Sequence, residues 1–348
     1  MMDAKPLRPT VNDIAREAGV SLATVDRVLN DRPGVRPAKM KAVQDAIVQL
    51  GYVRDLAAAN LARGRTYRMA FVLPSSEGQF VRTLVEAVER VTRQSDARTA
   101  ILVRRYPPDD PHSIAAVLSA LPQEEVAGVA LMAPETPVVR DAVRALRARG
   151  VPVVALASDL PNTERDRFVG IDNVAAGRTA GMLMGRFLGP GAARVVVVGE
   201  SMLLRESLER RLGFDLILQK RFAHLTALQT LETHGRATEL AAVLREALAH
   251  SSDVRGIYLL GAGHRALSEA LAGTGQAGRL TVIGHELTPQ ARAALESGTM
   301  DAVIMQNPGH VVRSALRVLR AINDRAPIDE AQEQIRIEIV MRENLPPI

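Results

Sequence analysis

Residues 10–30, TVNDIAREAGVSLATVDRVLN, constrain the fold of this chain more than any other segment. They predict two short helices joined by a tight turn at Gly19, because glycine takes a positive φ without steric cost. Ser21 can cap the second helix, which would bury Val25 and Val28 on one face. This layout is typical of a helix-turn-helix, whose second helix enters the DNA major groove. An ordinary αα-hairpin without a nucleic-acid role has the same layout.

The next two segments extend the helical region. Residues 37–50 predict a third amphipathic helix, which Pro37 opens and Gly51 closes. Its apolar face would hold Met40, Val43, Ile47 and Leu50. Residues 55–62 are rich in alanine and predict a short helix that Asp55 can cap. Because an isolated helix of this length is marginal in water, we expect it to form only on DNA.

Residues 10–66 resemble the DNA-binding headpiece and hinge of the LacI/GalR family of bacterial transcriptional regulators. The family pattern is A-G-V-S-x-x-T-V-S-R-V-L-N, then G-Y, then an alanine-rich hinge with a leucine. The positions in register are Ala18, Gly19, Val20, Ser21, Thr24, Val25, Arg27, Val28, Leu29, Asn30, Gly51, Tyr52 and Leu61. Asp26 departs from the usual serine, and the sequence assigns it no role.

The resemblance implies a homodimeric regulator, most often a repressor, that binds double-stranded operator DNA. The DNA contacts it implies are Ser21, Leu22, Ala23, Thr24, Arg27, Asn30, Ala58 and Leu61. The charge distribution agrees, since residues 1–65 hold 11 Lys and Arg against 7 Asp and Glu, whereas the whole chain has 44 against 39. Phosphate contact requires such a basic excess. A basic flexible tail would carry it too, but the apolar periodicity argues against a tail.

Composition and motifs exclude several other classes. The chain has no cysteine, Met1–Pro9 contains no apolar signal segment, and 18 uncharged apolar residues never run together. These features predict a cytoplasmic protein that does not contact a membrane, because an exported binding protein would need a signal peptide. No Walker or G-x-S-x-G motif is present, and the GAG at 261–263 is not a G-x-G-x-x-G fingerprint that opens the first βα unit. The histidines lack metal-ligand spacing. We therefore expect no enzyme activity, no cofactor and no metal.

From Tyr67 onward, short apolar runs alternate with helical segments. The predicted strands are 69–73, 99–103, 128–132, 153–157, 194–198, 226–230, 256–260, 280–284, 302–305 and 335–346. Unbroken βαβα alternation predicts an α/β core of parallel sheets covered by helices, and about ten strands favour two Rossmann-like lobes over one sheet. Ligands then bind in the crevice at the carboxyl ends of the strands.

This region resembles the effector core of the same family, which is similar to periplasmic sugar-binding proteins. The resemblance implies an all-α headpiece at residues 1–54, a hinge at 55–66 and a core at 67–348. The chain would cross between lobes near Ile171, Gln306 and Pro327. The lobes would comprise residues 67–170 with 307–327 and residues 171–306 with 328–348. A small sugar, polyol or related metabolite between them would control operator affinity.

The resemblance also places candidate effector-binding residues where the strands end. They are Ser158, Asp159, Asp172, Arg210, Ala262, Gly263, His285, Glu286 and Gln306. Arg210 begins RRLGF, the family's R-x-x-G-F element, and would hydrogen-bond a sugar hydroxyl or a carboxylate. It could instead be a solvated helical arginine. Asn173 could recognise a polyol or simply cap the next helix.

Two pairs of these residues depart from the family pattern. Ala262 and Gly263 stand where many members have an asparagine–aspartate pair, and His285-Glu286 stands where an aromatic residue and an aspartate are usual. The departures leave the architecture unchanged and the identity of the effector open.

The hinge yields a testable prediction. We expect Leu61 to act as a wedge between the central base pairs, where the two hinge helices of a dimer would enter the minor groove. Leu61→Ala should lose specific operator affinity and keep most of the salt-dependent non-specific binding, as measured by titrating operator and scrambled duplexes. An equal loss on both duplexes would indicate misfolding, and no loss would indicate a plain interdomain linker.

Overall fold

The structure is a computed structural model of the full chain. It describes residues 9–29, 32–52, 66–75, 79–95, 99–108, 110, 112–121, 126–232, 237–250, 253–261, 263–272 and 278–347. Residues 55–65 of the expected hinge lie outside this set. The chain divides into two compact units, Met1–Arg65 and Thr66–Ile348, which we describe separately.

The first unit contains three described helices: α1 (Val11–Glu17), α2 (Leu22–Leu29) and α3 (Pro37–Gln49). Helix α1 begins at a capping box, in which Thr10 and Asp13 bond each other's backbone. Gly19, at φ +61°, makes the turn to α2. Ser21 then accepts a hydrogen bond from the Thr24 backbone at 3.3 Å, as an N-cap does. The helices pack around Ile14, Val25, Val43 and Ala46.

The buried face of α3 differs from the predicted one. Met40 is 39% exposed, whereas Ala46 is buried. The reason is that the shared core lies along the second half of α3, where Ile47 and Leu50 also pack against it. Met40 stands one turn too early to reach this core.

The second unit contains two sheets. Their strands are β1 (Tyr67–Pro74), β2 (Thr99–Tyr106), β3 (Gly128–Leu131), β4 (Val153–Leu156), β5 (Arg167–Val169), β6 (Ala193–Gly199), β7 (Leu225–Glu232), β8 (Val254–Leu259), β9 (Thr281–His285), β10 (Ala302–Met305) and β11 (Glu338–Val340). The first sheet has the order β2-β1-β3-β4-β5 and the second the order β11-β10-β9-β8-β6-β7. Every pairing is parallel except that of β10 with β11.

Helices cover the sheets. They are α4 (Gln79–Gln94), α5 (Ser113–Ala120), α6 (Pro137–Ala148), α7 (Asn173–Leu188), α8 (Arg205–Arg221), α9 (Ala237–His250), α10 (His264–Leu271), α11 (Pro289–Glu296), α12 (Pro308–Asp324) and α13 (Glu330–Glu333). Helix α12 follows β10 of the second sheet but packs on α4, β3 and β4 of the first. The chain therefore passes between the sheets after β5, after β10 and after α12. We call the first sheet with its helices the first lobe, and the second sheet with its helices the second lobe.

Two strands differ from the sequence prediction. Strand β5 was not predicted, because Arg167 is exposed and only Val169 is buried, so its three residues form no apolar run. The long strand predicted at 335–346 is limited to Glu338–Val340, since a 3₁₀ turn at Arg342–Asn344 follows. It also runs antiparallel at the sheet edge, which is common in otherwise parallel sheets.

Helices α7 and α8 approach each other with their backbones nearly in contact. A Cβ atom added to Gly177 would lie 2.0 Å from the carbonyl oxygen of Arg210. One added to Gly213 would lie 2.0 Å from the carbonyl oxygen of Val174. Only glycine fits at either position, so these two residues fix where α8 lies and therefore where Arg210 is held.

Gly213→Ala should destabilise the second unit for this reason. Overpacking a tight contact costs about 1–3 kcal/mol and sometimes more, because the helices must separate. The free energy of unfolding from urea titration measures the loss. Gln219→Ala, an exposed position of the same helix, is the matched control and should change stability by less than about 0.5 kcal/mol. Equal values for the two variants would contradict the close approach.

Candidate functional site

The first unit presents an exposed face on and just before α2. Ser21, Leu22, Ala23 and Arg27 are exposed and Thr24 is half-buried. Val25, on the opposite face, is fully buried. The structure thus brings five of the predicted DNA-contact residues onto one accessible surface. The other three, Asn30, Ala58 and Leu61, lie outside the described residues.

Asp26, the unusual acid on this helix, has a partner. Its Oδ2 lies 3.5 Å from Nη1 of Arg32, and both side chains are about half exposed. Exposed pairs of this kind contribute at most about 1 kcal/mol to stability. The nearby guanidinium still offsets the repulsion that an isolated acid would meet at a phosphate backbone.

The second unit holds a cavity of about 400 Å³ whose walls come from both lobes. The first lobe contributes Gln79, Phe80, Val81, Arg82, Met132 and Ala157. The second contributes Glu200, Leu204, Glu206, Ser207, Arg210, Leu260, Gly261, Gly263, His264, Arg265, Glu286, Thr288 and Gln290, and Gln306 follows β10 at a crossing. The volume is in the range of small-molecule sites, and the walls stand at the carboxyl ends of strands, where α/β folds bind ligands.

Four of the nine predicted effector-binding residues line this cavity. They are Arg210, Gly263, Glu286 and Gln306. Four others, Ser158, Asp159, Asp172 and His285, do not line it, and Ala262 lies outside the described residues.

Arg210 is 3% exposed and is held by three hydrogen bonds within the fold. Its Nε donates to Asn173 Oδ1 at 2.9 Å, and its Nη1 donates to the Leu260 carbonyl at 2.7 Å. Its Nη2 donates to Glu286 Oε1 at 3.1 Å. These bonds exclude the alternative of a solvated helical arginine. A guanidinium has five N–H groups, so the three bonds to described residues leave two for a ligand.

Glu286 and Ala157 line the cavity in left-handed backbone conformations, with φ of +68° and +62°. Each such non-glycine residue costs on the order of 1–3 kcal/mol, and they cluster at ligand sites. The pKa of Glu286 is raised chiefly by burial, while its contacts with Arg210 and Gln306 act in the opposite direction. The ion pair therefore offsets part of the cost of burying this carboxylate.

Two of the nine predicted effector-binding residues, Asp172 and Asp159, are occupied by local structure instead. Asp172 caps α7, because its Oδ1 accepts a hydrogen bond from the Ala175 backbone at 2.8 Å. Asn173 is therefore not the cap, and its side chain orients Arg210. Asp159 is held by Arg165, whose Nη2 donates to it at 2.7 Å.

His285 belongs to the core of the second lobe. Its Nε2 lies 2.8 Å from the Tyr258 hydroxyl, and Tyr258 stacks on Phe214 with 4.3 Å between ring centroids. Burial holds the pKa of His285 well below its usual value. Glu286 follows β9 in a left-handed backbone conformation and lines the cavity, whereas the side chain of His285 faces the core.

Sequence reasoning missed several residues of the cavity wall. Glu206 stands four positions before Arg210 on α8, a spacing that places both on one face of the helix, and this signal could have found it. His264 begins α10, and burial lowers its pKa to about 4, so its imidazole is neutral at pH 7. No pattern in the sequence marks the other missed residues, Gln79, Arg82, Ser207, Arg265, Thr288 and Gln290, since they meet only through the fold.

Two polar contacts join the lobes beside the cavity. Ser158, which follows β4, donates from its hydroxyl to Glu206 Oε2 at 2.7 Å. Glu135, which follows β3, lies 3.1 Å from Nη1 of Arg205. Both contacts reach the first turn of α8, so this turn is where the described lobes meet by polar bonds next to the ligand space.

The remaining features of the described part of the chain are a second cavity and the outcome for metal sites and membrane helices. A second cavity of about 1030 Å³ runs along the crossings and includes Asp159 and Asp172. Within the described ranges there is no group of three or more His, Asp or Glu residues that could hold a metal. The described helices include none with the length and apolar character that a membrane crossing needs.

Two family models match the chain. Residues 10–55 match bacterial regulatory proteins of the lacI family, and residues 69–325 match a periplasmic binding protein domain. The HTH-type transcriptional regulator RegA of Clostridium saccharobutylicum is 42% identical over 87 residues, which are 25% of this chain and 26% of RegA. The HTH-type transcriptional regulator GntR of Pseudomonas aeruginosa is 29% identical over 264 residues, which are 72% of this chain and 71% of GntR.

The fold also occurs in solved structures. GanP, a glucose-galactose binding protein from Geobacillus stearothermophilus, has a TM-score of 0.69 at 17% identity, over 81% of this chain and 100% of GanP. A LacI transcriptional regulator from Bacteroides fragilis, described as putative, has a TM-score of 0.70 at 20% identity, over 80% of this chain and 98% of that one. At these identities the likeness establishes the two-lobed fold.

The buried cluster predicts a stability effect. Arg210→Ala leaves the Glu286 carboxylate buried without its partner, which costs about 3–5 kcal/mol. Adding Glu286→Gln removes the stranded charge and should recover part of the loss. Urea titrations of the parent, both single variants and the double variant give the coupling free energy. Strictly additive losses would show that the two side chains do not interact.

Proposed function

The chain belongs to the LacI family of bacterial regulatory proteins, and we propose that it is a transcriptional repressor whose operator affinity is controlled by a small sugar or polyol. One observation carries the proposal. A helix-turn-helix headpiece and a two-lobed core, whose cavity presents the buried Arg210–Glu286 pair, occur in the same chain. RegA and GntR, which are transcriptional regulators, support the proposed role in transcription.

On the DNA side, α2 is the recognition helix of this proposal. Arg27 projects into solvent and would contact a guanine edge or a phosphate. Leu22 and Ala23 offer only apolar contact, which suits a thymine methyl group. Asn30, Ala58 and Leu61 complete the surface as further proposed contacts. A homodimer would read two half-sites of a palindromic operator.

On the effector side, the cavity offers the chemistry that a polyol needs. Arg210 retains two N–H donors, and Glu286 and Gln306 offer acceptors beside them. Phe80 supplies the one aromatic ring on the described walls other than His264, and a sugar face could stack on it. GanP, whose name records glucose and galactose as its ligands, supports the choice of a sugar.

Effector and operator would then communicate through the lobes. A ligand that touches both lobes favours one lobe arrangement over another, and it changes DNA affinity only by its differential affinity for the two. The coupling is reciprocal, so operator DNA must change effector affinity by the same factor.

We further propose that the protein works in the cytoplasm and has no catalytic role. The relatives RegA and GntR are regulators, and the cavity walls combine no nucleophile with an adjacent general base among the described residues. Turnover of a sugar by the purified protein would contradict this part of the proposal.

The proposal is tested by a thermal-shift screen combined with operator titration. The panel is D-glucose, D-galactose, D-arabinose, gluconate and glucose 6-phosphate. A ligand at about 100 times its Kd stabilises the native state by roughly 2.7 kcal/mol, which a melting curve detects. The same ligand must shift operator affinity. Absence of any sequence-specific duplex binding would overturn the proposed function.

Arg27→Ala should weaken operator binding by about 1–3 kcal/mol if Arg27 reads a guanine, and the loss should be confined to the cognate sequence. If Arg27 contacts a phosphate, all duplexes should weaken alike and the salt dependence should become shallower. Fluorescence anisotropy at matched salt separates the two outcomes. Lys41→Ala, which removes one charge from the exposed side of α3, is the control. An Arg27→Ala variant as tight as the parent would remove Arg27 from the interface.

A further inference from the structure

Glu206 is one of the cavity residues to which the family resemblance assigns no role. It lies in the first turn of α8, lines the cavity and is half-buried. The Ser158 hydroxyl of the first lobe donates to its Oε2 at 2.7 Å. One hydroxyl thus occupies a carboxylate that accepts about four hydrogen bonds.

The lining holds two other carboxylates, Glu200 and Glu286, of which the buried Glu286 is differently placed. Glu286 accepts from the buried Arg210 guanidinium, whereas no ion pair to Glu206 occurs among the described residues. Burial raises the pKa of Glu286 most, and the negative charge of Glu206, which lines the same cavity, raises it further. A ligand next to both meets acceptors that need donors, and an anionic group there would add to the repulsion.

The cavity also contains arginines that an anion could approach. Arg82 bonds the amide of Gln79, and Arg265 is an exposed residue at the start of α10. With Arg210 they equal in number the three acids of the lining, Glu200, Glu206 and Glu286, so the charged side chains of the lining balance. A wall of balanced charge with open hydrogen-bond acceptors favours an uncharged ligand that presents hydroxyl groups.

We propose that Glu206 binds a hydroxyl group of the effector, that this hydroxyl takes the place of Ser158, and that the effector is an uncharged polyol such as a neutral sugar. The inference rests on the proposed function, because it assumes that the cavity is the effector site. Binding then removes a bond between the lobes at the same moment as it satisfies the carboxylate. The ligand competes with Ser158, so the Ser158–Glu206 contact lowers apparent affinity.

The two partners of this contact therefore give opposite predictions. Ser158→Ala removes the competitor and leaves Glu206 free, so a neutral sugar should bind about three- to tenfold more tightly. Glu206→Gln keeps the size of the side chain but removes the charge, so the sugar should bind about tenfold or more weakly. If the contact were only structural, both variants would weaken binding together.

Isothermal titration of the full-length protein with the five panel compounds measures these changes. Asp215→Asn, the same chemical change on α8 at a residue paired with Arg211 away from the cavity, is the matched control and should bind as the parent does. Glu206→Asp, which keeps the charge on a shorter stem, should fall between the parent and Glu206→Gln. Melting curves without ligand identify any variant that fails to fold.

Several results would overturn the inference. One is that gluconate or glucose 6-phosphate binds while glucose does not, and another is that Glu206→Gln binds a neutral sugar as the parent does. A third is that both Ser158→Ala and Glu206→Gln weaken binding. A fourth is that no neutral sugar of the panel binds while operator binding is intact. In that last case the DNA-binding part of the proposed function stands, whereas loss of specific operator binding would remove the proposed function itself.

Discussion

Arg210 carries a full charge into the interior of the second lobe, and a buried charge is costly unless it is paired and hydrogen-bonded. Three elements meet this requirement. Asn173 at the start of α7, the Leu260 carbonyl after β8 and Glu286 after β9 each accept one bond. The Arg210 side chain thereby connects helices α7 and α8 with the carboxyl ends of strands β8 and β9. The close contact of α7 and α8 at Gly177 and Gly213 makes the bond to Asn173 possible.

The same constraint shapes the cavity. Glu286 must turn its carboxylate toward Arg210, and it does so in a left-handed backbone conformation that a non-glycine residue adopts only at a cost. Its neighbour His285 then faces the core and binds Tyr258. The fold thus divides two adjacent polar residues between a structural and a ligand-facing role. A ligand can use only those hydrogen-bond donors and acceptors of Arg210 and Glu286 that the protein itself leaves unbonded.

The sequence predicts the repeating architecture well because parallel strands buried on both faces, such as β3 and β4, appear as continuous apolar runs. It misses β5 and predicts β11 too long, because each of these strands has only three residues and is partly exposed. For the cavity, the R-x-x-G-F element locates Arg210 from local pattern alone. The pattern cannot separate Asp172, a helix cap, from Asn173, which orients Arg210. Glu206 and Ser158 stand 48 positions apart, so only the fold brings them together.

The Ser158–Glu206 contact, which the ligand is proposed to break, has a consequence for regulation. The free energy that it contributes to the unliganded lobe arrangement is subtracted from that of ligand binding, and each 1.4 kcal/mol changes the apparent Kd tenfold. The Ser158–Glu206 contact would therefore set the effector concentration at which the protein responds, without touching the DNA-binding surface. The proposed operator contacts of α2 and the proposed response threshold would then be encoded in separate compact units. A substitution that alters one would leave the residues that determine the other unchanged.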